Sequence, residues 1–280
     1  FAAAREMNPD TLPESVREQA MYVKQELLAL EPLVSQADTL LGLLLAMIGH
    51  EQSRTYLVLF QNQAELRPSG GFMGSYAEVQ LDRGEIRKLL VPGGGPYDLR
   101  SQLRTRWQPP EPLRLVGSRW EFQDANWSPD FAQTASTIQT FWDRSGQPTL
   151  DGIIAVNATI LPKLLALTGP IEMEGYGKII TQENVVLETQ KAVELEYDRE
   201  KNTPKAFIGD LNREVLARLR ALPLQRLPDV LQLAATSRET KEIQVWFAKE
   251  TEQAAAKQFG WTGEWPVADA FDSLAIVGAN

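Results

Sequence analysis

Between residues 14 and 49 apolar side chains recur at intervals of three and four: Val16, Ala20, Val23, Leu27, Leu30, Val34, Ala37, Leu41, Leu44 and Ile48. That spacing predicts a helix. Pro13 stands just ahead of Glu14, where a helix opener belongs, and Gly49-His50 ends the pattern. Pro32 predicts a break or kink midway. The segment reads as an amphipathic helical hairpin, packed on a sheet or standing between a membrane and a domain. From residue 54 the period changes. Residues 54–61 form a short aromatic and apolar run, the mark of a buried strand. Residues 75–81 alternate, and Asp82-Arg83-Gly84-Glu85 turns the chain into a partner strand at 86–91.

Residues 92–130 lack either period and are rich in Pro, Gly, Trp and Arg, which marks a functional surface more often than a packing solution. Order returns with Ser128 as helix cap, Pro129 at the first position and Asp130 behind it. A second buried strand follows at 152–157, then helices at 159–167, 182–197, 204–222 and 227–235, a strand at 241–247 and a helix at 250–259. Strands interleaved with helices predict an α/β fold: one mixed central sheet covered by helices on both faces. The strands at 54–61 and 152–157, apolar on both sides, belong at its centre. The expected organisation is a membrane-proximal helical segment at 1–50 and an α/β domain at 51–280.

Composition narrows the chemistry. The 280 residues carry 28 basic and 37 acidic side chains, a net charge of −9, with no basic run, so nucleic acid is not an expected partner. Cysteine is absent and His50 is the single histidine, which removes thiol catalysis, Cys-ligated zinc and multi-His metal sites. Carboxylates, hydroxyls, amides, Arg and Lys remain, with a hard cation such as Mg²⁺. The longest apolar run, 40–49, is about half a membrane span. The chain starts at Phe1, and residues 271–280 read as a strand and turn that stop abruptly, so the polypeptide is expected to continue in both directions. The lack of cysteine weakly favours an extracytoplasmic location.

Three segments could carry a site. The loop from Arg67 through Ser69, Gly70, Gly71 and Gly74 to Ser75 could cradle an anion with its N–H groups, although it matches neither the P-loop nor the dinucleotide pattern. A plain turn is the competing reading. Pro92-Gly-Gly-Gly-Pro96 leads into Asp98 and Arg100, which an extended chain would place on one face, as a site or as a surface ion pair. Asp124 and Asn126, beside Trp120 and Trp127, suit a carbohydrate site or a core; the spacing does not fit a calcium hand.

Taken together, 56–75, 124–131, 151–156 and 167–170 resemble the bacterial domain-of-unknown-function 4012 family from about residue 54 to the end. The 14–49 region is similar to that family's membrane-proximal segment, which implies tethering through a helix upstream of this chain. More distantly, residues 151–169 resemble the LytR-CpsA-Psr glycopolymer transferases, which move polymers from a polyprenyl-pyrophosphate carrier onto the cell wall outside the membrane. Arg67 with Ser75, Asp98 with Arg100, and Asp124 to Asn126 fall near that family's motifs, but the motifs are not reproduced in order. Its late Arg-rich helix is reduced here to Arg199, Lys201, Lys205, Arg213 and Arg218. The resemblance implies an extracytoplasmic envelope domain whose partner is a polyprenyl-pyrophosphate-linked glycan or cell-wall polymer. If it is a Mg-dependent transferase, Arg67, Arg100 and Arg119 clamp the pyrophosphate, and Asp98 or Asp124 holds Mg²⁺ and positions an acceptor hydroxyl. Ser69, Gly70, Gly71, Ser75 and Asn126 complete the ligand-binding set. The alternative is a non-catalytic module that binds a glycan or a partner protein.

Overall fold

The computed structural model describes residues 1–265 except Ser101, Arg104, Thr105 and Val116; the strand expected at 271–280 lies outside the described residues. The chain opens with α1 (Ala2–Glu6) and α2 (Glu14–Met47), followed by β1 (Arg54–Asn62), β2 (Phe72–Asp82) and β3 (Glu85–Leu90). An irregular stretch holding α3 (Tyr97–Arg100) leads to α4 (Phe131–Arg144), β4 (Gly152–Asn157) and α5 (Ile160–Thr168). A small hairpin of β5 (Ile171–Met173) and β6 (Lys178–Ile180) precedes α6 (Val185–Glu194), α7 (Ala206–Arg220) and α8 (Leu227–Glu239). The described part closes with β7 (Ile243–Phe247) and α9 (Glu250–Gln258).

Five strands share one mixed sheet in the order β3-β2-β1-β4-β7. β1 pairs antiparallel with β2 and parallel with β4, which sets Phe60 beside Val156 and Gln61 beside Asn157. The expected central strands are therefore central, and the reason is the expected one. Leu57, Leu59, Ile153 and Ala155 project from one face into a cluster with Phe131, Ile138, Phe141 and Trp142 of α4, joined by Leu99 and Phe122. From the other face Tyr56, Ile154, Val245 and Phe247 meet Ala256 of α9 and Leu43 near the end of α2.

A third cluster stands apart: Leu165 of α5, Ile171 and Ile180 of the hairpin, Val185 and Ala192 of α6, and Phe207, Leu211 and Val215 of α7. Its apolar residues and those of the sheet do not merge into one core. The separation leaves a cleft.

The structure corrects some local expectations. α2 continues through Pro32 as a single helix, not a hairpin. The neighbouring Leu, Ala and Glu residues are good helix formers, and they carry the helix past the one hydrogen bond that proline removes. The cap of α4 is Asp130, whose carboxylate accepts from Gln133 N (3.0 Å), while Ser128 Oγ accepts from Asp130 N one step earlier. The β5–β6 hairpin went unforeseen because three-residue strands are too short to show a period. Of the residues in α2, only Leu43 is buried, and by length and composition this helix could cross a membrane.

Candidate functional site: a cleft over the carboxyl ends of β1 and β4

The parallel β1–β4 pair ends at Asn62 and Asn157, and a cavity of about 270 Å³ opens above those ends. In open α/β sheets the carboxyl ends of parallel strands are where ligands bind, since the loops that follow them diverge there. Phe60 and Val156, neighbours in the ladder, form the apolar floor. Ile160, Leu161 and Leu164 of α5, Val186 and Val193 of α6, and Ile208 and Leu211 of α7 form walls and roof. Phe72, Gly74 and Ser75 close the side nearest β2.

Polar groups are few. Ser75 stands opposite Phe60 in the β1–β2 ladder and so shares its face of the sheet. Thr189 Oγ1 is buried with no hydrogen-bond partner among the described residues. The ionisable lining residues are Glu65, Glu194 and Lys205. Burial holds the Lys205 ammonium below the ordinary lysine value, and the Glu194 carboxylate partly offsets that shift. No ion pair joins Lys205 to any described residue.

Lys205 is placed by the second glycine loop. Its N–H donates to Gly93 O (2.9 Å), and its stem lies along Gly95, where a Cβ would stand 3.2 Å from Lys205 Cγ. Lys205 is also the N-cap of α7, so the positive end of that helix dipole points the same way. In the sequence Lys205 stands among scattered bases, with Arg199, Lys201, Arg213 and Arg218. The usable signal was Pro204-Lys205-Ala206 at a predicted helix start.

The residues singled out from the sequence fall into separate groups. Arg67, Ser69, Gly70, Gly71, Asp124 and Asn126 come together beside the cleft. The Arg67 guanidinium bonds Glu65 (3.1 Å) and Asp124 (3.2 Å) and lies over the Phe72 ring, 5.2 Å from its centroid. Asn126 Nδ2 donates to Gly71 O (2.7 Å) and Ser69 Oγ to Asn126 O (3.4 Å). The glycine loop and the Asp124–Asn126 segment are thus bonded to each other, and none of these six residues lines the cavity. Arg100 and Arg119 meet elsewhere, at the Glu121 carboxylate (3.1 and 3.5 Å), and Arg119 Nη2 donates to Arg100 O. Asp98 Oδ2 accepts from Gly94 N (3.0 Å).

A resident magnesium ion fits this arrangement poorly. Asp124 is already neutralised by Arg67, Asp98 is tied to the glycine loop, and no group of three or more His, Asp or Glu among the described residues could hold a metal ion.

The molecule is an α/β domain with a mixed five-stranded sheet and an apolar cleft at its parallel strand ends. The family model described as protein of unknown function DUF4012 matches residues 51–193, and the chain belongs to that family. No curated protein matches it. Among solved structures it is similar to B. subtilis TagV, with 15% identity, 75% of this chain and 81% of that chain covered, and a TM-score of 0.38. It is also similar to a Bacillus subtilis protein titled the transcriptional regulator yvhJ, with 16% identity, 81% and 83% coverage and a TM-score of 0.36. At this level of likeness neither assigns a chemistry to the chain.

Proposed function

We propose that this is a membrane-tethered envelope domain on the extracytoplasmic face, and that it holds a polyprenyl-pyrophosphate-linked glycan. The isoprenoid chain lies in the cleft and the first phosphate meets Lys205 at the start of α7. One observation carries the reading: a largely apolar cavity whose single cation, Lys205, is half-buried and has no ion-pair partner among the described residues. An ammonium buried in an apolar wall, its desolvation only partly offset by the Glu194 carboxylate, costs stability unless an anion joins it. The glycan would extend past Asn62 and Asn212, which also line the cavity.

The ion pairs of the arginines favour a holder over a transferase. Arg67, Arg100 and Arg119 each already face a carboxylate, and a pyrophosphate would have to displace it. Magnesium, if it takes part, arrives with the phosphate.

Isothermal titration with farnesyl pyrophosphate and a longer polyprenyl analogue, with and without Mg²⁺, tests this. Binding should tighten with chain length, fall about tenfold or more in Lys205→Ala, and disappear in Leu164→Trp, which fills the cavity. Affinity that ignores both substitutions would end the reading.

A further inference from the structure

Ten of the twenty apolar residues from Val16 to Ile48 follow one another at alternating steps of four and three. That is a strict seven-residue repeat. A helix resting on a rigid globular surface is served by a period of 3.6, and its stripe drifts by about 20° per heptad against a 3.5 repeat. A strict 3.5 repeat is the pattern that another helix winds around. Yet in this chain the seam is bare: Val23 and Leu30 are each 48% exposed and Leu41 56%. α1 does not cover it. It lies about a quarter turn away, where Arg5 bonds Glu31 and Lys24 Nζ donates to Met7 O. The globular domain touches α2 on a different side, at Leu43.

We infer that the seam is covered by the α2 of a second copy of this chain, running antiparallel. The charges beside the seam select that occupant and its direction. Arg17, Lys24, Glu31 and Asp38 recur at sevens along one flank. In a parallel pair Glu26 of the other flank would face the partner's Glu31, twice, with no compensating attraction. In an antiparallel pair with Leu27 against the partner's Leu30, Arg17 meets the partner's Asp38, and Lys24 meets the partner's Glu31 in exchange for the bonds these two residues make to α1. Sliding by one heptad either way sets Lys24 against Lys24 or Glu31 against Glu31 and leaves two of the four attractive pairs. The same register matches sizes across the seam: Val23 with Val34, Ala20 with Ala37, Val16 with Leu41. Pro32 falls on the outer face, away from the partner.

The test uses the whole chain, which has no cysteine. Sedimentation equilibrium at micromolar concentration should give twice the 31.3 kDa chain mass. Val23→Cys and Val34→Cys should form a disulfide-linked dimer when mixed and little when each is alone. Lys24→Glu should raise the dimer dissociation constant by about tenfold. Lys24→Glu with Glu31→Lys should restore it, although the bonds from these residues to α1 are lost. Leu27→Glu with Leu30→Glu should give a monomer whose domain melts unchanged. A monomeric wild-type chain, meaning that a membrane or some other helix covers the seam, would overturn the inference. So would efficient cross-linking of Val23→Cys with itself, which reports a parallel pair.

Discussion

A Cβ placed on Gly70 would stand 2.5 Å from Gln61 Oε1. Gly70 also holds φ at +132°, in the region that side chains avoid. The loop that carries Arg67 is therefore seated directly on the end of β1, and the missing side chain is what lets it sit there. Gly70→Ala should cost about 2–4 kcal/mol, part strain and part collision. In a Gln61→Ala background the collision is gone and only the strain remains. Chemical denaturation of the four variants should give a coupling energy above about 0.5 kcal/mol. Additive effects would mean that loop and strand end are not in contact.

Lys205 should trade stability for binding. Its charged form is disfavoured in the fold because burial lowers its pKa. Between the lowered folded value and the ordinary unfolded one, the unfolded chain binds the extra proton, so stability contributed at this site rises with pH. Below the folded value the ammonium opposes folding in full. Lys205→Met should therefore melt at a higher temperature than wild type at pH 7. That advantage should shrink as pH is raised through the folded value. Prenyl-phosphate affinity of the wild type should fall over the same interval, as the ammonium is lost. A melting series of the two proteins from pH 6 to 10.5, set beside titrations of the wild type, checks both signs.

The sheet was legible because its central strands, 54–61 and 152–157, are apolar on both sides, and such segments have nowhere to go but between two covering layers. The irregular stretch from 92 to 130 was legible only as irregular. It is held by bonds distant in sequence, such as Asn126 to Gly71 and Arg119 to Arg100 O, which no local period encodes. The cleft itself was not legible. Its walls come from α5, α6 and α7, whose apolar residues read in sequence as ordinary core, and nothing local distinguishes a helix that packs from one that stops short. Lys205 carries no local signal for the same reason, since its burial depends on where the 93–95 glycines travel.

Arg54 ties the start of β1 to two other elements. Its guanidinium bonds Glu252 of α9 (2.7 Å) and Asp151 (3.0 Å), and the Arg54 and Glu252 side chains are both nearly excluded from water. Removing one member leaves a buried charge, with Lys249 at 3.5 Å as the remaining cation beside Glu252. Arg54→Met should destabilise the domain by about 3 kcal/mol or more. Adding Glu252→Gln should recover part of that loss, because the orphaned charge goes with it. Urea unfolding of the two variants measures it; a double variant less stable than Arg54→Met alone would contradict the account.

The role of Arg67 can be separated from that of a ligand clamp. Its side chain is 8% exposed and lies between Glu65, 43% exposed, and Asp124, 24% exposed, with its Cζ 5.2 Å from the centre of the Phe72 ring. Two carboxylates converging on one guanidinium repel each other once it is removed. Arg67→Ala should therefore cost about 1–3 kcal/mol of stability, more than an exposed pair would and less than a fully buried one. Arg67→Lys should recover less than half, because an ammonium is a point charge that neither forks between two carboxylates nor stacks on a ring. A clamp behaves otherwise: the Ala variant would keep its stability and lose prenyl-pyrophosphate affinity by tenfold or more. Melting temperature and titration on the same preparations decide between them. Stability loss with affinity changed less than about threefold assigns Arg67 to holding the loop against the Asp124 segment, and leaves Lys205 as the residue that meets the phosphate.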